Sequence, residues 1–177
     1  MLKITKKTEY ALIALRHLHK NNEGVLSTSK ENDSFTNKLK TENYFSLLNS
    51  SYLSEGIIIK VESGVKVQEN INIINIVSSN DSLVNTKLDL ILSSHSSIHI
   101  RQYFLANSKT NNGFINHSNN ISIQNNASLV LDKFQDLNNN FHISNDSIDQ
   151  EESSKFISNT FSMSGLLTRN DIINNVN

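Results

Sequence analysis

The 177-residue chain contains no cysteine, no proline and no tryptophan, and only five glycines. Without cysteine, the chain itself can form no disulfide, no thiolate nucleophile and no Cys-ligated metal or iron–sulfur centre. Without proline, no turn is held by a fixed φ angle. The net charge of −1 gives no overall electrostatic reason to expect DNA or an anionic membrane as a partner.

Long hydrophobic runs are also missing. The apolar run Ala11–Leu15 is too short for a secretory signal and ends at Arg16. No stretch has the length of a transmembrane helix. We therefore expect a cytoplasmic protein with no membrane partner, and nucleic acid is not an expected partner of the whole chain.

Asparagine and serine are far more frequent than in ordinary proteins. A disordered polar tract is one interpretation of such a composition. The alternation of apolar and polar residues within the Asn-rich part favours folded strands instead. Three of these alternations are Ile98-His99-Ile100, Ile121-Ser122-Ile123 and Leu129-Val130-Leu131.

Asn-rich clusters between these alternations predict tight corners, because Asn and Gly tolerate positive φ angles. The clusters are Asn111-Asn112-Gly113, Asn119-Asn120 and Asn125-Asn126. Isoleucines also recur at a constant spacing, here called the isoleucine repeat, at Ile73, Ile98, Ile123, Ile148 and Ile173. A repeat at this kind of spacing is typical of solenoids. The sequence predicts a mainly β protein, a right-handed parallel β-helix with an N-terminal α-helix.

Residues 1–20 carry the predicted N-terminal helix, which is basic and has an apolar face. The run from Lys7 to Leu12, Lys-Thr-Glu-Tyr-Ala-Leu, resembles the opening of IscR-like winged-helix regulators. That resemblance implies DNA binding, but it ends near residue 30, before the helix that would read the groove. An amphipathic helix that packs on the rest of the chain is the alternative.

Histidine pairs are the first candidate metal ligands. His95 and His99 have a spacing that chelates metal on a helix, but on a strand they are about 13 Å apart. His17 and His19 point to different sides of the predicted helix. His117 and His142 would stack on neighbouring rungs if the isoleucine repeat holds, and could share a metal. Two exposed or hydrogen-bonded polar residues are the simpler interpretation.

Acidic residues near the end of the predicted strands offer a second candidate site. Their carboxylates are those of Asp146, Asp149, Glu151 and Glu152. Such clusters occur in polysaccharide-cleaving β-helix enzymes, so a carbohydrate-acting protein is one alternative function. The other interpretation is a solvated turn, since no aromatic platform accompanies the acids.

A family resemblance covers about residues 41–177. The run from Asn43 to Ile76 is similar to the start of the core domain in the SufB/SufD family, on the residues Phe45, Leu48, Asn49, Tyr52, Glu55, Gly56, Gly64 and Val65. The run Phe161–Asp171 resembles a second motif of that family, more like SufD than SufB, on Gly165, Arg169, Asn170 and Asp171. From their chemistry we expect these four to be structural, a corner held by hydrogen bonds.

The resemblance implies a non-catalytic scaffold subunit of iron–sulfur cluster assembly, which pairs with a SufB-like partner. It implies no catalytic residue, no cofactor and no metal held by this chain itself, and iron or a cluster only within a complex. The expected domains are residues 1–30, a linker and capping segment 31–55, and a partial SufD-like core 56–177.

The chain also departs from the family pattern. Asn70 stands where many members have proline, and the sequence stops six residues after Asp171. The family's helical C-terminal domain, which docks a SufC-type ATPase, would follow, so we expect weak or absent SufC-type binding. An open last rung would favour self-association between strands. A natural fusion, a gene remnant and an artificial chimera all fit the sequence.

Overall fold

The computed structural model describes residues 44–177. The predicted N-terminal helix, the IscR-like stretch, His17 and His19 all lie outside these residues. The described part forms one helix and nine strands: α1 (Tyr44–Ser51), β1 (Glu55–Val61), β2 (Ile71–Val77), β3 (Leu83–Leu92), β4 (Ser97–Ala106), β5 (Asn111–Ile123), β6 (Ser128–Asp136), β7 (Asn139–Gln150), β8 (Lys155–Ser164) and β9 (Leu167–Val176).

The strands alternate between two parallel sheets. The odd-numbered strands form a five-stranded sheet in the order β1-β3-β5-β7-β9, here called sheet A. The even-numbered strands form a four-stranded sheet in the order β2-β4-β6-β8, here called sheet B. Each new strand pairs in parallel with the strand two before it. The chain therefore winds as a solenoid, in which one strand of sheet A and the next strand of sheet B form one rung. The predicted mainly β, parallel β-helix architecture is confirmed.

Aliphatic side chains fill the space between the two sheets. In β4, buried Ile98 and Ile100 alternate with the outward-facing His99 and Arg101. Ile100 pairs with Leu131 of β6, and both are fully buried. Full burial of one such side chain contributes about 1.5–3 kcal/mol. The repeated rungs thus build a large aliphatic cluster, which also includes Leu90, Ile121, Ile123, Leu129 and Ile148. A second, smaller cluster contains Val77, Phe104, Ile115 and Leu137.

The prediction that the isoleucine repeat gives the number of residues in each rung is wrong. Partners on neighbouring strands of sheet A have sequence separations of 31, 27 and 26, in the pairs Asp89 with Asn120, Asn119 with Asp146, and Asp149 with Asn175. Ile98 lies in sheet B, whereas Ile123 lies in sheet A. Turn and strand lengths vary from rung to rung, so no single period holds. The shared spacing reflects how common isoleucine is in this chain.

Asparagine does supply several corners. Asn112, Asn126 and Asn138 have φ angles of 57°, 58° and 48°, in the left-handed region that Asn tolerates. The predicted corner at Asn119-Asn120 is wrong, because both residues lie inside β5. Asn119 is fully buried and its amide is hydrogen-bonded within the core. Its polar partners explain why a turn-forming residue occurs in mid-strand.

Helix α1 lies within residues 31–55, which are the predicted linker and capping segment. Its contacts are with β5, β3 and β7, across the flank of sheet A. Asn49 is fully buried and donates to the carbonyl oxygens of Thr86 (2.9 Å) and Asn116 (2.7 Å). Asn116 donates in return to the Phe45 carbonyl at 2.8 Å. These bonds tie the helix to two rungs at once.

None of the helical structure between residues 44 and 177 has the length and apolar character that a membrane crossing requires.

The Asn49 side chain gives a first testable prediction. The Asn49→Ala variant removes both donors from the buried carbonyls of Thr86 and Asn116. We expect a loss of about 1–3 kcal/mol in the free energy of unfolding, because a buried acceptor without a donor keeps its desolvation cost. Urea unfolding measures this loss. Ser50→Ala, at the exposed next position, is the control, and an equal effect of the two changes would contradict the account.

Candidate functional site

A group of polar side chains lies in the space between the sheets, on the same strands as the aliphatic core and beside it. We call it the interior polar column, and its members are Thr86, Gln102, His117, Asn119, Lys133, Gln135, His142, Ser144 and Asp146. Strand alternation explains its position. Gln102 follows Ile98 and Ile100 on the inward face of β4, and Lys133 follows Leu131 on that of β6. Gln102 and Lys133 are paired in register.

Lys133 and Asp146 form an ion pair at the centre of the column. The Lys133 Nζ lies 2.5 Å from Oδ2 of Asp146, and neither side chain is exposed to solvent. Nζ also donates to Ser144 Oγ at 2.7 Å. Oδ1 of Asp146 accepts from Asn119 Nδ2 at 2.8 Å. Because Lys133 belongs to sheet B and Asp146 to sheet A, the pair joins the two sheets.

The four acidic residues of the predicted cluster therefore lie in different environments. The interpretation of Asp146 as part of a solvated turn is wrong, since its carboxylate is enclosed and paired with Lys133. Glu151 and Glu152 are exposed, as that interpretation predicts. Asp149 lies on β7 and accepts from Asn175 Nδ2 at 2.9 Å. Asp146 cannot reach a sugar chain outside the solenoid, so it cannot belong to the acidic site that the carbohydrate-acting alternative requires.

Gln102 and Asn119 bridge the sheets a second time. Gln102 Nε2 donates to Asn119 Oδ1 at 2.8 Å, and Asn119 Nδ2 donates back to Gln102 Oε1 at 3.1 Å. A reciprocal amide pair satisfies donors and acceptors on both sides. Buried polar groups with such complete partners specify which residues face each other. We infer that this pair helps to fix which rungs stand opposite each other.

His117 is enclosed in the same network. Its Nδ1 lies 2.7 Å from Thr86 Oγ1, and its Nε2 lies 2.9 Å from Asn119 Oδ1. Nε2 also lies 3.1 Å from Nε2 of Gln102, so an acceptor and a donor both approach this nitrogen, while Nδ1 lies against the hydroxyl of Thr86, which can donate or accept. Burial, together with the positive charge of Lys133, lowers the pKa of His117 to about 4. The ring is neutral at physiological pH.

His142 lies on the neighbouring strand of sheet A. Its Nδ1 accepts from Gln135 Nε2 at 2.8 Å. Burial, followed by the nearby His117 and Lys133, lowers its pKa well below the usual range. The Phe104 ring packs against both imidazoles, with centroid distances of 4.9 Å to His117 and 4.2 Å to His142.

The two histidines are thus hydrogen-bonded, as the simpler interpretation predicts, but they are buried rather than exposed. They lie on adjacent strands without being paired, because His117 pairs with Ser144 and His142 with Ile115. Across residues 44–177, no three His, Cys, Asp or Glu side chains are close enough together to hold a metal ion.

The second histidine pair is separated by the structure. His95 is exposed in a turn, with a φ angle of 62°. His99 lies on β4 and its Nε2 is 2.7 Å from Oδ2 of Asp132. Asp132 is also 3.7 Å from Arg101 and accepts from Asn159 at 2.8 Å. His99 is therefore part of a small charged group on the outer face of sheet B.

The family-motif residues lie at the β8–β9 connection and on β9. Gly165 has a φ angle of 153°, and a Cβ there would lie 2.8 Å from Thr168 Oγ1. Arg169 Nε donates to Oδ1 of Asp171 at 3.1 Å, and Nη2 forms an ion pair with Oδ2 at 2.8 Å. Asn170 Oδ1 accepts from Gln135 Nε2 at 2.8 Å.

This geometry revises the predicted corner. The chain turns at Gly165, whereas Arg169, Asn170 and Asp171 lie inside β9. A hydrogen bond joins Arg169 to Asp171 within this strand. Asn170 has a different structural role from Arg169 and Asp171. Its amide is hydrogen-bonded to Gln135 and extends the interior polar column to the last strand of sheet A.

An aromatic ladder runs across the outer face of sheet B. Tyr103, Phe134 and Phe161 are in register on β4, β6 and β8. Neighbouring rings stack nearly parallel, with centroid distances of 5.0 Å and 5.1 Å. Ile74 of β2 continues the row and is 54% exposed, and Phe161 is 50% exposed. An exposed apolar row of this kind is typical of a surface that contacts another molecule.

Gln102, Lys133 and Gln135 were not predicted as members of a site. A signal for them was present, because Leu129, Leu131, Lys133 and Gln135 follow one another at every second position. Their inward direction follows from the strand period. Their partners could not be predicted in the same way, since Asp146 and His142 come from the other sheet.

The sequence model of one protein family matches residues 74–177, which is more than half of the chain. That family is described as SUF system FeS cluster assembly, SufBD core domain. The matched residues run from β2 to β9 and include the whole interior polar column. No curated protein matches the sequence.

Proposed function

The chain belongs to the SufBD family of iron–sulfur cluster assembly proteins, and on this basis we propose that it is a SufD-like scaffold subunit that pairs with a SufB-like partner in the cytoplasm. The observation that supports the proposal is the match of the family model to residues 74–177, which form parallel rungs. A role in iron–sulfur cluster assembly follows from the family. The SufD-like character and the identity of the partner are our proposal.

The absence of cysteine supports a scaffold that does not itself carry the cluster. Iron–sulfur clusters are held mainly by cysteine thiolates, and these 177 residues contain none. We propose that iron or a cluster associates with this chain only within a complex, through thiolates that the partner supplies.

The interior polar column supports a non-catalytic role. Its central ion pair is closed to solvent, and both of its histidines are buried. A general acid or base must lie within hydrogen-bond reach of its substrate. Side chains enclosed between the sheets do not meet this condition, and their hydrogen bonds hold the two sheets together instead.

A co-expression experiment tests the proposed function. The tagged full chain is produced together with a SufB-like protein and, separately, with a SufC-like ATPase. We expect the SufB-like protein to be retained on the tag and the ATPase to be retained weakly or not at all. The chain purified alone is expected to contain no stoichiometric iron. Retention of neither protein, or a cluster spectrum from the chain alone, would contradict the proposal.

A further inference from the structure

We propose that Lys133 and Asp146 condense into an intramolecular isopeptide bond, which joins β6 of sheet B covalently to β7 of sheet A. The proposal is independent of the function proposed above, because it concerns how the solenoid is held together. It rests on the geometry of the two side chains, on the groups around Asp146, and on their enclosure.

The amine and the carboxyl group are already in contact. Nζ lies 2.5 Å from Oδ2, so the carboxyl carbon is one bond further away. Both groups are attached to strands that are paired on either side, β6 with β4 and β8, and β7 with β5 and β9. Groups held in such contact react with a high effective concentration.

Two donors point at the oxygen that would become negative. Oδ1 of Asp146 accepts from Asn119 Nδ2 at 2.8 Å and from Ser144 Oγ at 3.2 Å. Donors fixed in this way stabilise the oxyanion that forms when an amine attacks a carboxyl carbon. Ser144 Oγ also accepts from Nζ at 2.7 Å. It therefore contacts both reacting groups and is placed to pass a proton between them.

The reaction needs no further reagent. The ammonium of Lys133 gives a proton to Asp146, which leaves an amine and a carboxylic acid. The nitrogen lone pair then attacks Cγ, and Oδ1 takes up the negative charge. Nitrogen passes a second proton to Oδ2, which already carries the first, the Cγ–Oδ2 bond breaks, and Oδ2 leaves as water while Oδ1 becomes the amide oxygen. One Nζ–Cγ bond forms, one Cγ–Oδ2 bond breaks, and nothing is oxidised or reduced.

Enclosure favours this reaction. Both side chains are fully buried, so the site holds an ammonium and a carboxylate at a high desolvation cost. The proton transfer and the amide bond both remove these charges. Water that would hydrolyse the amide is excluded by the same enclosure.

Mass spectrometry of the purified full chain tests the proposal. We expect an intact mass that is lower than the sequence mass by one water molecule. Trypsin should then fail to cleave after Lys133, and residues 110–155 should appear as a single peptide with the same mass loss. The full sequence mass with cleavage after Lys133 would overturn the proposal, as would a mass loss that leaves Lys133 cleavable.

Two variants make the test specific. Lys133→Arg keeps the positive charge but has no amine to acylate, so it should keep its full mass. Asp146→Asn has no carboxylate to take the first proton from the Lys133 ammonium, so it should also keep its full mass. A variant that fails to fold does not affect the decision, since the measurement on the unaltered chain stands by itself.

Discussion

The Asp146→Ala variant is expected to lose about 3–5 kcal/mol in free energy of unfolding, the usual effect of leaving one partner of a buried ion pair without the other. Lys133 is fully enclosed, and among residues 44–177 the acceptor that it would keep is Ser144. Asn119 would also lose one of the two acceptors of its Nδ2 group. Loss of the amide bond inferred above would act in the same direction.

Urea unfolding followed by circular dichroism measures this loss. Glu152→Ala is the matched control, because it removes a carboxylate from an exposed turn a few residues further along. Its effect should stay within about 0.5 kcal/mol. A loss below about 1 kcal/mol for Asp146→Ala would mean that Lys133 reaches water, contrary to the buried geometry.

Acidification is expected to destabilise the protein before its carboxylates titrate. The pKa of His117 is about 4 in the folded chain and about 6.5 in the unfolded chain. Below pH 6.5 the unfolded state binds a proton that the folded state does not. Stability is therefore fully present above pH 6.5 and is lost as pH falls toward 4, by about 3 kcal/mol in total from His117.

His142 acts in the same direction, because burial also lowers its pKa. The free energy of unfolding in urea should be compared at about pH 7.5 and pH 5. Over this range the protonation of the two histidines differs between the folded and unfolded states. His95→Asn is the control, since His95 is exposed and Asn tolerates its positive φ angle. Equal stability of the unaltered protein at both pH values would contradict the buried, neutral histidines.

The strands and their inward faces were predictable from the sequence. Ile98, Ile100 and Leu131 show their directions by simple alternation, and the parallel solenoid follows from many such short strands. The rung length was not predictable, because it depends on how each turn closes. The sequence separation of paired residues falls from 31 between β3 and β5 to 27 between β5 and β7, which leaves no regular period.

The interior polar column was harder to predict for a different reason. A lysine at an inward position is costly unless a carboxylate from elsewhere meets it. Lys133 and Asp146 are close in sequence, but they belong to different sheets. Only the rung register brings them together, and that register was unknown. Arg169 and Asp171 contact each other within one strand, so that bond could be predicted directly.

The rung register determines which side chains meet between the two sheets. Disulfide trapping tests this register, since the chain has no cysteine of its own. Ser122 is paired with Asp149, and neighbouring parallel positions lie within the range that a disulfide can span. The double variant Ser122→Cys with Asp149→Cys should therefore form an intramolecular disulfide under mild oxidation. Ser122→Cys with Ser147→Cys, which has the spacing of the discarded isoleucine repeat, should remain reduced. The reverse result would contradict the account.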